Sequence, residues 1–201
     1  MAATSGVATP IQGYRGRGIP SGILPIRNYL EAATQTFLQG TPVQINAAGF
    51  LQAAAAITSV ATAVVAGISL VAGANLGTAG VAQTQNLTNK VPNQPNAVIT
   101  PIGAPPNDGT SQFILVSSDE TFMGKMGNSN TAANAVLAQA QVGTLMGLTK
   151  DAGTGFWYVD NYITTTAAGA CVVIDALVDP VGTLNGRVEF HFTNAAQQLA
   201  S

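Results

Sequence analysis

The sequence predicts a mainly β protein: a small sandwich or barrel-like domain with one short helix and an extended N-terminal arm. Three observations carry this. The hexapeptide Arg187–Phe192 alternates strictly, with Val188, Phe190 and Phe192 on one face and Arg187, Glu189 and His191 on the other, the period of a half-buried strand. Gly, Pro, Asn and Asp clusters recur between short apolar runs, giving about eight strands separated by turn chemistry. The longest apolar run, Ala53–Gly73, is built from Ala, Val, Ile and Thr, and its β-branched residues suit extended chain better than helix.

Taken from the N-terminus, residues 1–28 read as an extended arm ahead of a β-rich domain over 29–201. Pro10, Pro20 and Pro25 and several glycines leave no run suited to a packed element. The arm also carries Arg15, Arg17 and Arg27, three of the seven basic residues. It reads either as a disordered terminus or as an arm that orders on a partner, its arginines pairing with carboxylates there.

Pro42–Asn46 then alternates Val43 and Ile45 with Gln44 and Asn46, Ala47–Gly49 supplies a turn, and a second strand begins at Leu51. No Asp, Glu, Lys or Arg lies between Glu31 and Lys90, so three readings of Ala53–Gly73 compete. A membrane span is long enough, but neither end carries basic or aromatic anchors. A buried helix over 53–66 would draw on Ala, the best helix former. Strands account for the β-branched residues, with Gly67 as a bulge, and this reading is preferred. Residues 80–110, with Pro92, Pro95, Pro101, Pro105 and Pro106, form a long irregular segment that excludes helix and central strand, with one edge strand conceivable at 96–100.

Strands resume at Ser111 and again at Glu120. Asn130–Gln141 reads as the short helix, with Ala133, Val136, Leu137 and Ala140 on one face and Asn130 or Thr131 as its cap. Lys150–Gly155 is turn chemistry between two strands of a hairpin, and strands at 170–178 and 187–192 complete the domain.

Composition excludes several functions. Charged residues are 8% of 201, against about a quarter in ordinary soluble domains, and a net charge of −2 offers no basic field for nucleic acid. The weak self-repulsion suits a protein that lives packed against neighbours. Cys171 is the single cysteine, which rules out an intrachain disulfide and makes a small buried hydrophobe its expected role. His191 is the single histidine, expected as an exposed or interface side chain. Asp151 is expected to bond its own turn backbone. No alternating oxygen-ligand run for calcium is present, and no nucleophile has a base at readable spacing, so neither enzyme activity nor a cofactor is expected. The N-terminus lacks the order of a secretory signal. Trp157 and Tyr158 stand out as aromatics that either fill a core, anchor an interface or stack on a sugar.

Five stretches, read together, bring out a family. They are QTFLQGTPVQINAAGFLQA (35–53), VAGISLVAGANLGTAG (65–80), KVPNQPNAVITPIGAPPNDG (90–109), GLTKDAGTGFWYVD (147–160) and GTLNGRVEFHF (182–192). Their order resembles the capsid decoration, or cement, proteins of tailed bacteriophages, over roughly Phe37 to Phe192. The resemblance implies a small β-rich, non-enzymatic protein on the outer capsid surface. It would contact the major capsid protein across subunit junctions and stabilise the shell, often as a trimer or dimer. Arg15, Arg17, Arg27, Trp157 and Tyr158 are the candidate partner contacts. Neither nucleic acid nor membrane is an expected partner. The alternative is another virion surface component, such as a fibre base or a carbohydrate-binding β module using Trp157 and Tyr158.

Overall fold

A computed structural model describes residues 8–16, 24–54, 64–73, 110–117 and 119–199. Eleven strands run through them: β1 (Gln12–Gly16), β2 (Ile26–Leu30), β3 (Pro42–Ile45), β4 (Leu51–Ala53), β5 (Gly67–Ser69), β6 (Thr110–Leu115), β7 (Glu120–Gly127), β8 (Leu145–Lys150), β9 (Trp157–Asp160), β10 (Val172–Leu177) and β11 (Arg187–Phe192). They divide into two β units.

The first is a closed barrel in which β7, β11, β10, β8 and β9 pair in that order and β9 returns to β7. All these pairings are antiparallel except the closing one, where Met126 and Gly127 meet Val159 and Asp160 in parallel. The eight-residue β7 makes closure possible by sharing one edge: β1 takes Glu120–Met123 and β9 takes Met126–Gly127. Gly127 is required at this seam, because a Cβ there would sit 2.2 Å from the Tyr158 ring. Phe122, Phe190 and Phe192 stack inside at centroid separations of 5.6–6.1 Å, two of the three contacts edge-on. All three are fully buried, as are Met126, Leu148, Val172, Ile174 and Val188 around them, a geometry that gains quadrupolar attraction beyond area burial. The alternation predicted for 187–192 separates barrel interior from outer wall, but the polar face is not solvent-exposed throughout, since Glu189 is buried.

The second unit is an antiparallel sheet in the order β2-β6-β5-β3-β4. Its two ends meet at the parallel bridge between Glu31 and Leu51, where Ala32 N–H donates to the Leu51 carbonyl at 2.7 Å. Glu31 is buried at this closure and accepts the Ser111 hydroxyl. The β3–β4 hairpin follows from its sequence. Asn46 Oδ1 accepts the Ala48 and Phe50 N–H groups at 3.0 Å each. Gly49 takes the left-handed position (φ 85°) that ends a three-residue hairpin loop. Gly67 is not a bulge: it sits in ladder register between Val43 and Leu115. A Cβ there would meet the Phe113 ring at 2.0 Å, so the glycine is what lets that ring lie flat on the strand.

The two units share apolar contacts and a stitched tail. Ile68, Ile114 and Val116 belong to the same buried cluster as the barrel phenylalanines. Val65 N–H donates to Ala196 O at 2.7 Å and Gln198 N–H to Val65 O at 3.0 Å. The Gln198 amide then clamps Ile45, accepting its N–H at 2.6 Å and donating to its carbonyl.

Several sequence expectations change. The described parts of the N-terminal stretch are extended, as expected, but they lie on the chain's own sheets: Gln12–Gly16 on β7 and Ile26–Leu30 on β6. The arm boundary at residue 28 falls inside β2. Backbone pairing needs no apolar run, and Ile11 alone, 2% exposed, plugs β1 into the core. The helix expected over Asn130–Gln141 forms as two single 3-10 turns, Ala132–Asn134 and Gln139–Gln141, with Val136 bridged to Leu184 between them. Of its supposed apolar face only Leu137 is buried, while Ala133, Val136 and Ala140 are exposed. Residues 55–63, most of the strand-or-helix question, and 74–109, with nearly all of the Pro-rich segment, lie outside the described residues.

Candidate functional site: an uncharged face at the barrel mouth

One end of the barrel is built by the connections that leave β7, β9 and β10. A buried carboxylate organises them. Asp160, at the end of β9, is fully buried and accepts three hydrogen bonds: the Thr149 hydroxyl at 2.6 Å, and the Ser129 and Tyr162 N–H groups at 3.1 Å each. Three donors on one carboxylate are what a buried charge requires. Asn128 extends the network. Its Oδ1 accepts the Asn130 and Thr131 N–H groups, closing an Asx turn ahead of the first 3-10 turn, whose N-cap position is Thr131, one of the two expected, though without a side-chain cap bond. Its amide donates to Asn161 Oδ1 at 2.6 Å, and the Asn161 amide donates to Asn134 O at 2.9 Å.

The β10–β11 connection is tied to the same loop by backbone. Leu137 N–H donates to Thr183 O (3.0 Å), Gly182 N–H to Leu137 O (2.8 Å) and Asn185 N–H to Ala135 O (2.7 Å). Asn185 adopts φ 54°, the left-handed region that Asn tolerates better than most residues. Leu137, 1% exposed, plugs the mouth beneath Gly186, where a Cβ would come within 2.5 Å of it.

Over this scaffold the surface is apolar and neutral. The three most exposed large apolar side chains among the described residues are here: Val181 at 60%, Tyr162 at 59% and Leu184 at 53%. Val136, bridged to Leu184, is also exposed. No Asp, Glu, Lys or Arg occurs over 126–149, 161–174 or 180–186, so the only charge at the mouth is the buried Asp160. The nearest charged side chains are the pair of Arg187 Nη2 on Asp179 Oδ1 at 2.7 Å, with Nε also donating, and Lys125, in register with Arg187 on β7. Hydrogen bonds from the Arg187 side chain and backbone hold the Asp179 carboxyl below the usual carboxylate range.

The candidate contacts read from sequence do not converge. Trp157 and Tyr158 are each 3% exposed. Trp157 joins the barrel core with its Nε1 unpaired, and Tyr158 covers Gly127. Consecutive strand residues point to opposite faces, and here both faces are covered, so neither ring offers a stacking surface. Arg27 is exposed on β2, with one guanidinium contact to Ile26 O at 3.4 Å. Arg15 lies on β1 opposite Thr121, and Arg17 falls outside the described residues.

The remaining chemistry-bearing groups are structural. Cys171 is buried, and desolvation pushes its thiol up to about 12, which keeps it protonated and unreactive at neutral pH. Asp151 closes its own turn, accepting Gly153 N–H at 2.9 Å and the Thr154 hydroxyl at 3.0 Å, as expected. His191 Nδ1 lies 2.9 Å from Asp175 Oδ2 on the half-buried outer wall. Among the described residues no three His, Cys, Asp or Glu side chains come together as a metal site, and no helix is long and apolar enough to cross a membrane.

Sequence reasoning missed this face because its signal is an absence of charge spread over three connections that become neighbours only in the barrel. Comparisons with protein-family models, with curated proteins and with solved structures found no match to this chain.

Proposed function

We propose that this chain is a structural virion protein. It binds the outer surface of a phage capsid and stabilises the shell by bridging major capsid subunits, without catalysis and in self-associated form, trimer or dimer. The sequence motifs over Phe37–Phe192 suggest the role. The observation that carries it furthest is the neutral, apolar face at the barrel mouth, held by hydrogen bonds on a chain with 8% charged residues. Such a face suits permanent packing against a neighbour, since it gains little from water and opposes association weakly. Weak contacts repeated over a shell add through avidity. The carbohydrate-binding alternative loses its motivation with the burial of Trp157 and Tyr158.

The test is reconstitution. Shells stripped of the protein are heated with and without it, and genome release is followed by dye fluorescence. Added protein binds at stoichiometric occupancy and raises the release temperature. Shells that neither bind it nor gain stability overturn the reading.

A further inference from the structure

We infer that the outer wall of the barrel holds a carboxylate-binding pocket, in which the Lys125 ammonium takes the charged end of a small organic acid or of an acidic side chain. The pocket belongs to a single chain, and it is present whether or not that chain sits on a shell.

The strands place it. Gln12 pairs with Met123, and Lys125 with Arg187. Residues directly opposite on neighbouring strands, and residues two apart on one strand, share a face. Gln12, Met123, Lys125 and Arg187 therefore stand together on the outer face of β1, β7 and β11, away from the phenylalanine core. Thr9 and Pro10, just ahead of β1, join them in lining an open cavity of about 250 Å3.

The charge around this cavity is unbalanced. Like charges directly opposite one another across a ladder are destabilising. The chain has only seven basic residues, yet two of them stand opposite one another here. Asp179 compensates Arg187, accepting from its Nε and Nη2. The Lys125 ammonium has neither a hydrogen bond nor an ion pair among the described residues, although its charge helps to lower the Asp179 carboxyl. Glu189, on the same face opposite Met123, is buried with a partner of its own. Arg15, Lys125 and Arg187 thus stand on this wall against Asp179 and Glu189, one cation in excess. Lys125 is half-buried, so salt screens it less than a fully exposed lysine.

The lining fits one class of ligand. Lys125 supplies the charge, with Gln12 and Thr9 as neutral hydrogen-bonding groups, and Met123 and Pro10 supply apolar surface. A carboxylate on a short apolar stem matches both halves. The cavity is smaller than the roughly 300–1000 Å3 of drug-sized sites, which keeps the stem to a few carbons. One excess charge gives a nucleic-acid backbone no run of cations to follow.

The experiment is an amide NMR titration of the full chain with sodium butyrate at constant ionic strength, with butanol as the uncharged control. Amides within 9–12 and 123–125, and that of Arg187, shift along a saturable curve with a Kd on the order of 1–10 mM. Butanol leaves them in place. Lys125→Met keeps the stem, removes the charge and weakens binding by about tenfold or more. Lys125→Arg retains binding, and Lys150→Met, at an exposed lysine on β8, leaves it unchanged. The same spectra verify that each variant is folded, and Lys125→Gln replaces Lys125→Met if the latter is not. N-acetylglutamate methylamide separates the two sources. Binding as tight as that of butyrate assigns the pocket to a partner's acidic side chain, and binding of butyrate alone assigns it to a free acid. No saturable shift with either probe up to about 100 mM, equal shifts with butanol, or binding unchanged in Lys125→Met overturns the inference.

Discussion

The barrel and the second sheet solve closure in different ways. The barrel closes through a continuous ladder, with β9 returning to β7, around a cluster that includes three mutually stacked phenylalanines. The second sheet closes through one bridge at Glu31–Leu51, around Phe37, Val43, Leu51, Ala66 and Phe113. Its strands β4 and β5 are three residues long, and Gly67 places backbone where the barrel would place a side chain. Large buried aromatics and a ladder that runs fully round, with one bulge between Ile174 and Ala176, make the barrel the stable unit. The sheet depends on borrowed contacts: Ile68 and Ile114 reaching the barrel core, and the Gln197–Gln198 tail on Val65 and Ile45. Stability in one chain is then unequal, and the sheet opens at lower free energy than the barrel.

The strongest way to break that comparison is to empty each core. Phe190→Ala removes a fully buried ring from the barrel and costs about 3–5 kcal/mol, read as a lowered midpoint in urea. Amide protection falls in both units, because the sheet leans on the barrel. Phe37→Ala removes a ring that is 6% exposed from the sheet cluster. It lowers protection in β3–β5 and leaves β7, β10 and β11 protected. Equal loss of protection everywhere from Phe37→Ala would make the chain a single cooperative unit.

The same contrast explains what was legible in the sequence. Alternation worked where one face is a real core: Val188, Phe190 and Phe192 point inward as the pattern requires. Local turn chemistry worked at Asn46–Gly49 and Asp151–Gly155, because these turns are closed by their own side chains. Patterning failed where tertiary contacts decide. Ala133, Val136, Leu137 and Ala140 have helical spacing, yet Leu137 is drawn into the barrel mouth and Val136 into a bridge with Leu184, more than forty residues ahead in the chain. No local signal anticipates that pairing. β1 and β2 were unreadable because their partners are supplied through backbone, which carries no residue signature. Trp157 and Tyr158 stayed open between core, interface and stacking surface because a strand buried on both faces cannot be told from an amphipathic one by composition alone.

A smaller effect sharpens the role of the tail. Gln198→Ala removes a side chain that accepts from Ile45 N–H at 2.6 Å and donates to Ile45 O. Loss of this pair of hydrogen bonds costs about 1–2 kcal/mol, confined to the sheet. Hydrogen exchange should show faster opening of Val43 and Ile45 with the barrel unchanged. Barrel strands that lose protection in step with β3 would show that the tail supports both units, against the ranking given above.

The smallest effect lies on the barrel rim and depends on pH. Asp179 is held below its ordinary value by the Arg187 side chain and backbone, so the folded protein binds a proton there less readily than the unfolded chain. Its contribution to stability is therefore fully present above the unfolded carboxylate range, from about pH 5 upward. It is lost as pH falls below that range and through the depressed folded value. The pair is solvent-exposed, so screening keeps the effect small, at most about 2 °C in melting temperature. Asp179→Asn should melt slightly below wild type at pH 7 in low salt, with the gap narrowing in 1 M salt. The two curves should converge as pH is taken below 3. A gap that persists in acid would mean that Asp179 acts through its N–H contact geometry at Arg187, seen at 2.8 Å, rather than through charge. The rim would then be a turn fixture, and the barrel's advantage over the sheet would owe nothing to ion pairing.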